Sequence, residues 1–126
     1  MADGAHRGMI LVVDDNSSIR ELAKVFLENA GYSVAMACDG AEGLRFYEQH
    51  QTDIMLLITD LTMPNMDGLE LASRVLRIDS RQPVLVMSGE SSEAYRGLES
   101  IAKPFRPDEL IHAISRVLSM RKVSAA

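Results

Sequence analysis

The sequence predicts a doubly wound α/β domain with a parallel sheet, and three observations support that prediction. Short apolar segments alternate with amphipathic segments along the chain, as strands and helices do when helices cover both faces of a parallel sheet. The 126 residues are enough for one domain with its own core. Hydrophobic residues make up 47% and charged residues 25% of the chain, which is the balance of a globular domain.

The apolar segments are the predicted strands. They are short and bounded by Gly, Pro, Asp or Ser, as buried parallel strands usually are. The segments are Met9–Val13, Ser33–Ala37, Ile54–Thr59, Val84–Met87 and the weaker Ile101–Ala102.

The segments between the strands have the period of amphipathic helices. Ser17–Ala30 has its apolar residues on one helical face. Ser18 and Glu21 have the spacing of a capping box, and Gly31 stands where a left-handed residue commonly ends a helix. Further helices are predicted at Asp39–His50, Met66–Ile78 and Pro107–Met120.

The interval between Ser88 and Lys103 leaves room only for a short helix, at Ser91–Leu98. Gly97 lies inside it, and few apolar residues are present to anchor it. Helices shorter than about 12 residues are marginal on their own. We therefore predict a short or irregular fourth helix with raised mobility.

Composition and charge exclude several classes of protein. The net charge of -5 without a basic cluster argues against binding to a nucleic-acid backbone. Cys38 is the single cysteine, which excludes an internal disulfide and is more typical of a core or rim residue than of a nucleophile. No apolar run approaches the ~20 residues of a membrane helix, and no signal peptide is evident. We expect a cytoplasmic protein that does not bind membranes.

Polar residues follow the predicted strands where the carboxyl ends of parallel strands meet at one edge of the sheet. They are Asp14 and Asp15 after the first strand, Asp60 after the third, Ser88 after the fourth and Lys103 after the fifth. Three acids in one place repel each other unless a cation joins them, and Mg²⁺ prefers oxygen ligands. A lysine and a serine can bind phosphoryl oxygens, and a carboxylate can accept a phosphoryl group.

This set therefore indicates phosphoryl transfer onto an aspartate. Each residue alone has a commoner explanation: an aspartate as a helix cap, a serine as a turn residue, a lysine as a surface charge. Their positions at the same end of different strands argue against a purely structural origin for all of them together.

With the residues around these positions, the chain resembles the receiver domain of bacterial two-component response regulators. The resemblance runs from about Met9 to Leu118, and four segments carry it: Leu11–Asn16, Thr59–Gly68, Val84–Gly89 and Lys103–Leu110. It implies a flavodoxin-like (βα)5 fold with strand order 2-1-3-4-5. The expected organisation is an N-terminal tail at 1–8, the receiver domain at 9–120 and a C-terminal tail at 121–126.

The resemblance also implies a role for each site residue. Asp60 would be the phosphoacceptor, Ser88 the switch hydroxyl and Lys103 the cation that contacts the phosphoryl group. The Lys103–Pro104 peptide bond is expected to be cis. The expected cofactor is Mg²⁺, for which Mn²⁺ can substitute, and its ligands would be Asp14, Asp15, Asp60 and the backbone carbonyl of Thr62.

Four further positions near the acceptor are singled out by the resemblance. Thr62 and Glu90 are expected to tune the lifetime of the acyl phosphate, and Gly89 would leave room for the phosphodonor. Ser100 departs from the family, which usually has an aromatic residue three positions before the lysine. This departure leaves open whether an aromatic side chain takes part in switching.

The expected partners are a sensor histidine kinase or phosphotransfer protein and an unidentified downstream protein, and the resemblance also allows a homodimer. The domain would catalyse its own phosphorylation and dephosphorylation as a switch in a phosphorelay, not act as an enzyme on a metabolite. Three alternatives remain: an interaction module that is not regulated by phosphorylation, a receiver cut from a hybrid sensor kinase, and a Mg²⁺-dependent aspartyl-phosphate phosphatase. The phosphatase is disfavoured because Thr62 stands where those enzymes have a second aspartate.

Overall fold

The structure is a computed structural model that describes residues 8–89 and 97–125, with side chains up to residue 120. The strands are β1 (Met9–Val13), β2 (Ser33–Ala37), β3 (Ile54–Asp60), β4 (Val84–Ser88) and β5 (Glu99–Ala102). The helices are α1 (Ser17–Asn29), α2 (Gly40–His50), α3 (Gly68–Ile78) and α4 (Pro107–Ala125). A short 3-10 turn, Gln51–Asp53, connects α2 to β3.

The strands form one parallel sheet in the order β2-β1-β3-β4-β5, which confirms the predicted fold class. The register places Val13 of β1 opposite Thr59 of β3, and Ser88 of β4 opposite Ala102 of β5. Because the strands are parallel and nearly flush at this end, the residues that follow them emerge at one edge, here called the carboxyl edge. The opposite end of the sheet is called the amino edge.

The core lies on both faces of the sheet. In β1, Ile10 and Val12 pack towards one face, where α1 and α4 lie, while Leu11 and Val13 pack towards the other, where α2 and α3 lie. All four side chains are fully buried. Burial on both faces explains why the strands read in the sequence as continuous apolar runs and not as alternating ones.

Helix α1 begins where the sequence predicts, but its cap differs. The side chain of Asn16 accepts hydrogen bonds from the backbone N–H groups of Ser18 and Ile19. The predicted capping box at Ser18 and Glu21 is therefore wrong, because Ser18 already lies inside the helix. Gly31 has a φ of 96°, which confirms the left-handed residue predicted after the helix.

Two other helices begin later than the apolar pattern suggested. Asp39 caps α2 by accepting a hydrogen bond from the backbone N–H of Glu42, and Asp67 caps α3 in the same way from Glu70. A capping residue lies outside the helix that it caps, so the sequence pattern placed the starts one or two residues too early.

The C-terminal part of the chain differs from the prediction in two places. The polar residues Glu99 and Ser100 belong to β5, which the apolar pattern began at Ile101. The last helix, α4, continues to Ala125 and so enters the segment that the sequence assigned to a tail. The predicted fourth helix at Ser91–Leu98 lies almost wholly outside the described residues.

Within residues 8–89 and 97–125, we found no helix that is long and apolar enough to span a lipid bilayer.

Candidate functional site

The carboxyl edge brings three aspartates together. Asp14 and Asp15 follow β1, and Asp60 is the last residue of β3, which is the neighbouring strand. One carboxylate oxygen from each of the three lies within 4.8 Å of the others. Asp14 and Asp60 are buried, whereas Asp15 is exposed. The structure thus places the three predicted acids in one cluster, here called the acidic cluster.

Asp14 is held through its backbone as well as its side chain. Its backbone N–H donates to the carbonyl of Ala37 at 3.2 Å, which ties it to the end of β2. Its Oδ1 accepts from the backbone N–H of Asn16 at 2.9 Å. Its carbonyl oxygen accepts from a guanidinium nitrogen of Arg20 at 2.7 Å. The β1–α1 connection is therefore fixed around this residue.

Lys103 supplies the positive charge at the acidic cluster. Its Nζ lies 3.0 Å from Oδ1 of Asp60 and 3.3 Å from Oδ2 of Asp14. Its backbone N–H donates to the carbonyl of Ser88 at 2.7 Å, which fixes the end of β5 against β4. The Lys103–Pro104 peptide bond is cis, as predicted. One ammonium thus faces two buried carboxylates.

Burial and charge shift two pKa values at the cluster. Burial raises the pKa of Asp14, and the neighbouring charge of Asp60 raises it further, while the Asn16 N–H and Lys103 oppose the shift. Burial on its own would lower the pKa of Lys103, but the hydrogen bond to Asp60 and the charges of both aspartates outweigh it, so that pKa is raised. Lys103 therefore stays an ammonium at neutral pH.

The backbone around Asp60 is packed closely against the start of α3. The hydroxyl of Thr59 donates to the carbonyl of Asp60 at 3.0 Å. The N–H of Gly68 donates to the carbonyl of Leu61 at 2.9 Å. A Cβ on Gly68 would collide with the carbonyl oxygen of Asp60 and would lie only 2.9 Å from Cα of Leu61. This role of Gly68 is not evident from the sequence.

The donor set fits a hard divalent cation. Three carboxylates with oxygens within 4.8 Å of each other have the chemistry that Mg²⁺ prefers, and Asp15 faces solvent, which is compatible with a partly hydrated ion. Without an ion, Lys103 carries the only positive charge that is described within hydrogen-bonding distance of these carboxylates.

Comparison with known proteins decides which family has this arrangement. The family model for the response regulator receiver domain matches residues 10–115. The chain belongs to this family. The receiver domain predicted from the sequence motifs is therefore confirmed.

Two curated relatives show the range of proteins that contain such domains. This receiver domain is 37% identical over 112 residues to the DNA-binding response regulator MtrA of Mycobacterium tuberculosis, covering 83% of this chain and 48% of MtrA. It is 36% identical over 121 residues to the CAI-1 autoinducer sensor kinase/phosphatase CqsS of Vibrio cholerae, covering 87% of this chain and 17% of CqsS. The chain thus spans about half the length of MtrA and a smaller share of CqsS.

Solved structures agree with this assignment. A response regulator receiver domain protein from Clostridium thermocellum superimposes with a TM-score of 0.83 at 29% identity, covering 92% of this chain and 98% of the other. The receiver domain of the hybrid histidine kinase CckA gives a TM-score of 0.78 at 32% identity, covering 88% of this chain and 99% of the other. Similar folds therefore occur both in proteins named as receiver domains and in a receiver attached to a kinase.

The remaining predicted positions of the receiver domain differ in their burial. Ser88 is buried at the end of β4, and Gly89 after it is exposed with no described atom within 4 Å of a Cβ placed there. Thr62 is exposed on the loop after β3. Ser100 is buried in β5. Glu90 lies outside the described residues, so its predicted role has no structural account.

Cys38 and Arg20 complete the description of this edge. Cys38 is exposed and follows β2, so it is a rim residue and not a core residue. Arg20 contacts Asp14 but was not singled out in the sequence. The signal that could have found it is its position on the first turns of α1, directly after the Asp14–Asn16 segment.

Proposed function

We propose that this receiver domain accepts a phosphoryl group on Asp60 and thereby switches its surface between two states. The donor would be a phosphohistidine on a sensor histidine kinase or a phosphotransfer protein. The observation that carries this proposal is the position of Asp60 at the end of β3, beside two more carboxylates and 3.0 Å from the ammonium of Lys103.

Asp60 suits the role of acceptor better than its neighbours. Both oxygens of Asp14 accept a hydrogen bond, from Asn16 and from Lys103, which leaves lone pairs for a metal ion but makes that carboxylate the less available nucleophile. Among the described residues, only Lys103 donates a hydrogen bond to the carboxylate of Asp60, and the oxygen that accepts it is Oδ1. None of the described residues donates a hydrogen bond to Oδ2 of Asp60, so that oxygen can attack an incoming phosphoryl group.

The transfer forms one bond and breaks one. A carboxylate oxygen of Asp60 attacks phosphorus, the bond from phosphorus to the histidine nitrogen breaks, and the imidazole leaves with the electron pair and is protonated as required by solvent. Lys103 offsets the negative charge on the phosphoryl oxygens. Mg²⁺ or Mn²⁺, held by Asp14, Asp15, Asp60 and the carbonyl of Thr62, would supply further neutralisation of that charge.

The other predicted roles complete this proposal. Ser88 would donate its hydroxyl to a phosphoryl oxygen, which couples phosphorylation to β4. Thr62 and Glu90 would tune the rate at which water hydrolyses the acyl phosphate, and Gly89 would admit the donor. With a small residue at Ser100, switching would proceed without the aromatic side chain that the family usually places there.

The setting of the switch is also part of the proposal. The domain would work in the cytoplasm, either alone or as part of a longer regulator or hybrid sensor kinase, and the kinds of relatives it has are compatible with each of these. Its output would pass to another protein or to a second copy of the chain.

Measuring the mass of the intact protein tests whether Asp60 is the phosphoacceptor. After incubation with acetyl phosphate and Mg²⁺, we expect the parent to gain one phosphoryl group and Asp60→Asn to gain none. Asp53→Asn, which removes an exposed acid at the amino edge, should behave as the parent. A chelator should abolish the gain.

Two results would contradict the proposal. An equal mass gain in Asp60→Asn would place the phosphoryl group elsewhere. No gain in a folded, Mg²⁺-binding sample, from acetyl phosphate or from a phosphohistidine donor, would favour an interaction module that phosphorylation does not regulate. Ser100 is the observation on which that second candidate rests.

A further inference from the structure

Arg20 reaches from α1 back to the acidic cluster. Its side chain is half-buried, and its guanidinium donates a hydrogen bond of 2.7 Å to the carbonyl oxygen of Asp14. The bond is charge-assisted and short, so it holds that carbonyl more firmly than a neutral donor would. No role has been assigned to Arg20 so far.

The carbonyl that Arg20 holds belongs to the peptide unit between Asp14 and Asp15. A peptide unit is planar, so fixing its carbonyl oxygen also fixes the nitrogen and Cα of the next residue. Asp14 has three other anchors, at its backbone N–H and at both carboxylate oxygens. Asp15 is exposed, and no hydrogen bond to its side chain is described, so its placement depends on the peptide units on either side of it, and the Asp14–Asp15 unit is the one that Arg20 holds.

The positive charge of Arg20 disfavours the binding of a divalent cation. A cation near three carboxylates repels a divalent cation, so electrostatics alone makes Arg20 unfavourable for metal binding. The hydrogen bond makes it favourable, because a fixed ligand loses less conformational freedom when it binds an ion. The two effects on metal affinity therefore differ in sign.

We propose that Arg20 is a positioning residue that orients the Asp14–Asp15 peptide, and through it the carboxylate of Asp15, for binding a divalent cation. This inference rests on the proposed metal site. In this role the gain from orientation exceeds the cost of repulsion, so removing Arg20 weakens cation binding even though it removes a repelling charge.

Calorimetric titration of the unphosphorylated protein with Mg²⁺ tests the inference. We expect Arg20→Met to bind Mg²⁺ about tenfold more weakly than the parent, as is usual when a partner of a ligand residue is lost. The matched control is Lys24→Met, which removes the same charge one turn further along α1, where the described residues show no contact of Lys24 with the cluster. Its affinity should equal that of the parent or exceed it slightly.

Thermal unfolding separates positioning from a general loss of stability. If Arg20 positions Asp15, saturating Mg²⁺ at a fixed concentration raises the Tm of Arg20→Met by less than it raises the Tm of the parent. If Arg20 only supports the fold, its loss lowers Tm by the same amount with and without Mg²⁺.

The Mg²⁺ titrations distinguish failure of the proposed role of Arg20 from failure of the proposed metal site. Equal or tighter Mg²⁺ binding by Arg20→Met, with normal binding by the parent, overturns the role of Arg20 and leaves the metal site intact. Absence of Mg²⁺ binding by the folded parent overturns both the metal site and this inference.

Discussion

The two edges of the sheet both bury polar side chains, but they do so in opposite ways. At the amino edge, the hydroxyl of Tyr47 donates to Oε1 of Gln82 at 2.9 Å, and Nε2 of Gln82 donates to the carbonyl of Pro83 at 3.1 Å. These groups are neutral and paired. At the carboxyl edge, one ammonium serves the buried carboxylates of Asp14 and Asp60.

The two edges therefore contribute to the free energy of folding with opposite signs. A satisfied neutral pair contributes modestly to folding, whereas buried carboxylates that repel each other cost folding free energy. The amino edge therefore stabilises the sheet. This stability offsets the unfavourable free energy of burying like charges at the carboxyl edge, where the proposed reaction needs them. Four substitutions test this comparison.

The largest effect is expected at Gly68, where the backbone of the carboxyl edge is packed most closely. Gly68→Ala introduces a Cβ against the Asp60 carbonyl and the Leu61 backbone, neither of which is a flexible group. We expect a loss of about 3 kcal/mol in the free energy of unfolding, measured with urea. Gly89→Ala is the control, because no described atom lies within 4 Å of its Cβ position. Equal stability of the two variants would refute the close packing.

The next largest effect, at Asp14, is an increase in the free energy of unfolding and not a loss. Asp14→Asn removes a fully buried carboxylate but keeps the size of the side chain. We expect the metal-free variant to be more stable than the parent at pH 7 by about 1 to 2 kcal/mol. It should also lose Mg²⁺ binding. A variant less stable than the parent would mean that the Asn16 and Lys103 contacts outweigh the cost of burial.

The pH dependence of this difference has a definite sign. The pKa of Asp14 is raised above 3.8 in the folded protein, so on acidification the folded state takes up its proton before the unfolded state does. The parent therefore gains stability relative to Asp14→Asn as pH falls through the raised pKa. Urea titrations at a series of pH values should show the advantage of Asp14→Asn shrinking towards acid pH. An advantage that grows would contradict the raised pKa.

A smaller effect is expected at the amino edge. Tyr47→Phe removes the hydroxyl that pairs with Gln82 and should cost about 1 kcal/mol of unfolding free energy. It should leave Mg²⁺ affinity unchanged, because Tyr47 lies at the other end of the sheet. Adding Gln82→Leu in a double-mutant cycle isolates the pair. A coupling energy near zero would show that the pair does not stabilise the sheet.

The smallest effect is expected for a charged pair in water. Glu70 and Arg74 form an exposed ion pair at 2.8 Å on α3. Arg74→Gln, which keeps a similar helix propensity, should change the free energy of unfolding by less than about 0.5 kcal/mol. A change as large as that for Asp14→Asn would mean that burial is not what distinguishes the carboxyl edge.

The convergence of Asp14, Asp15, Asp60 and Lys103 at one edge could be predicted from the sequence because its signals are local. Four of the five apolar runs are followed directly by a polar residue such as Asp60 or Ser88, and parallel topology alone brings those ends to one edge. The cap of α1 is also a local signal: Asn16 directly precedes the helix and is itself a preferred cap, whereas Ser18 and Glu21, which have the spacing of a capping box, both lie inside the helix.

The features that escaped prediction depend on contacts that no local pattern encodes. Tyr47 and Gln82 are 35 residues apart in the chain, and nothing in either neighbourhood indicates the other. The close packing of Gly68 against the carbonyl of Asp60 depends on the path of the loop between β3 and α3, which the sequence pattern does not predict. The bond from Arg20 to the carbonyl of Asp14 depends on where three-dimensional packing places the start of α1 relative to the end of β1.

The strand register has a practical consequence. Val13 lies opposite Thr59, so backbone hydrogen bonds between strands about 4.8 Å apart set the spacing of Asp14 and Asp60, which directly follow these two residues. The exposed turn at Ser80–Arg81, at the amino edge, takes no part in that spacing. A fluorescent protein or a biosensor surface could therefore be joined there, leaving the reactive edge open to phosphodonors.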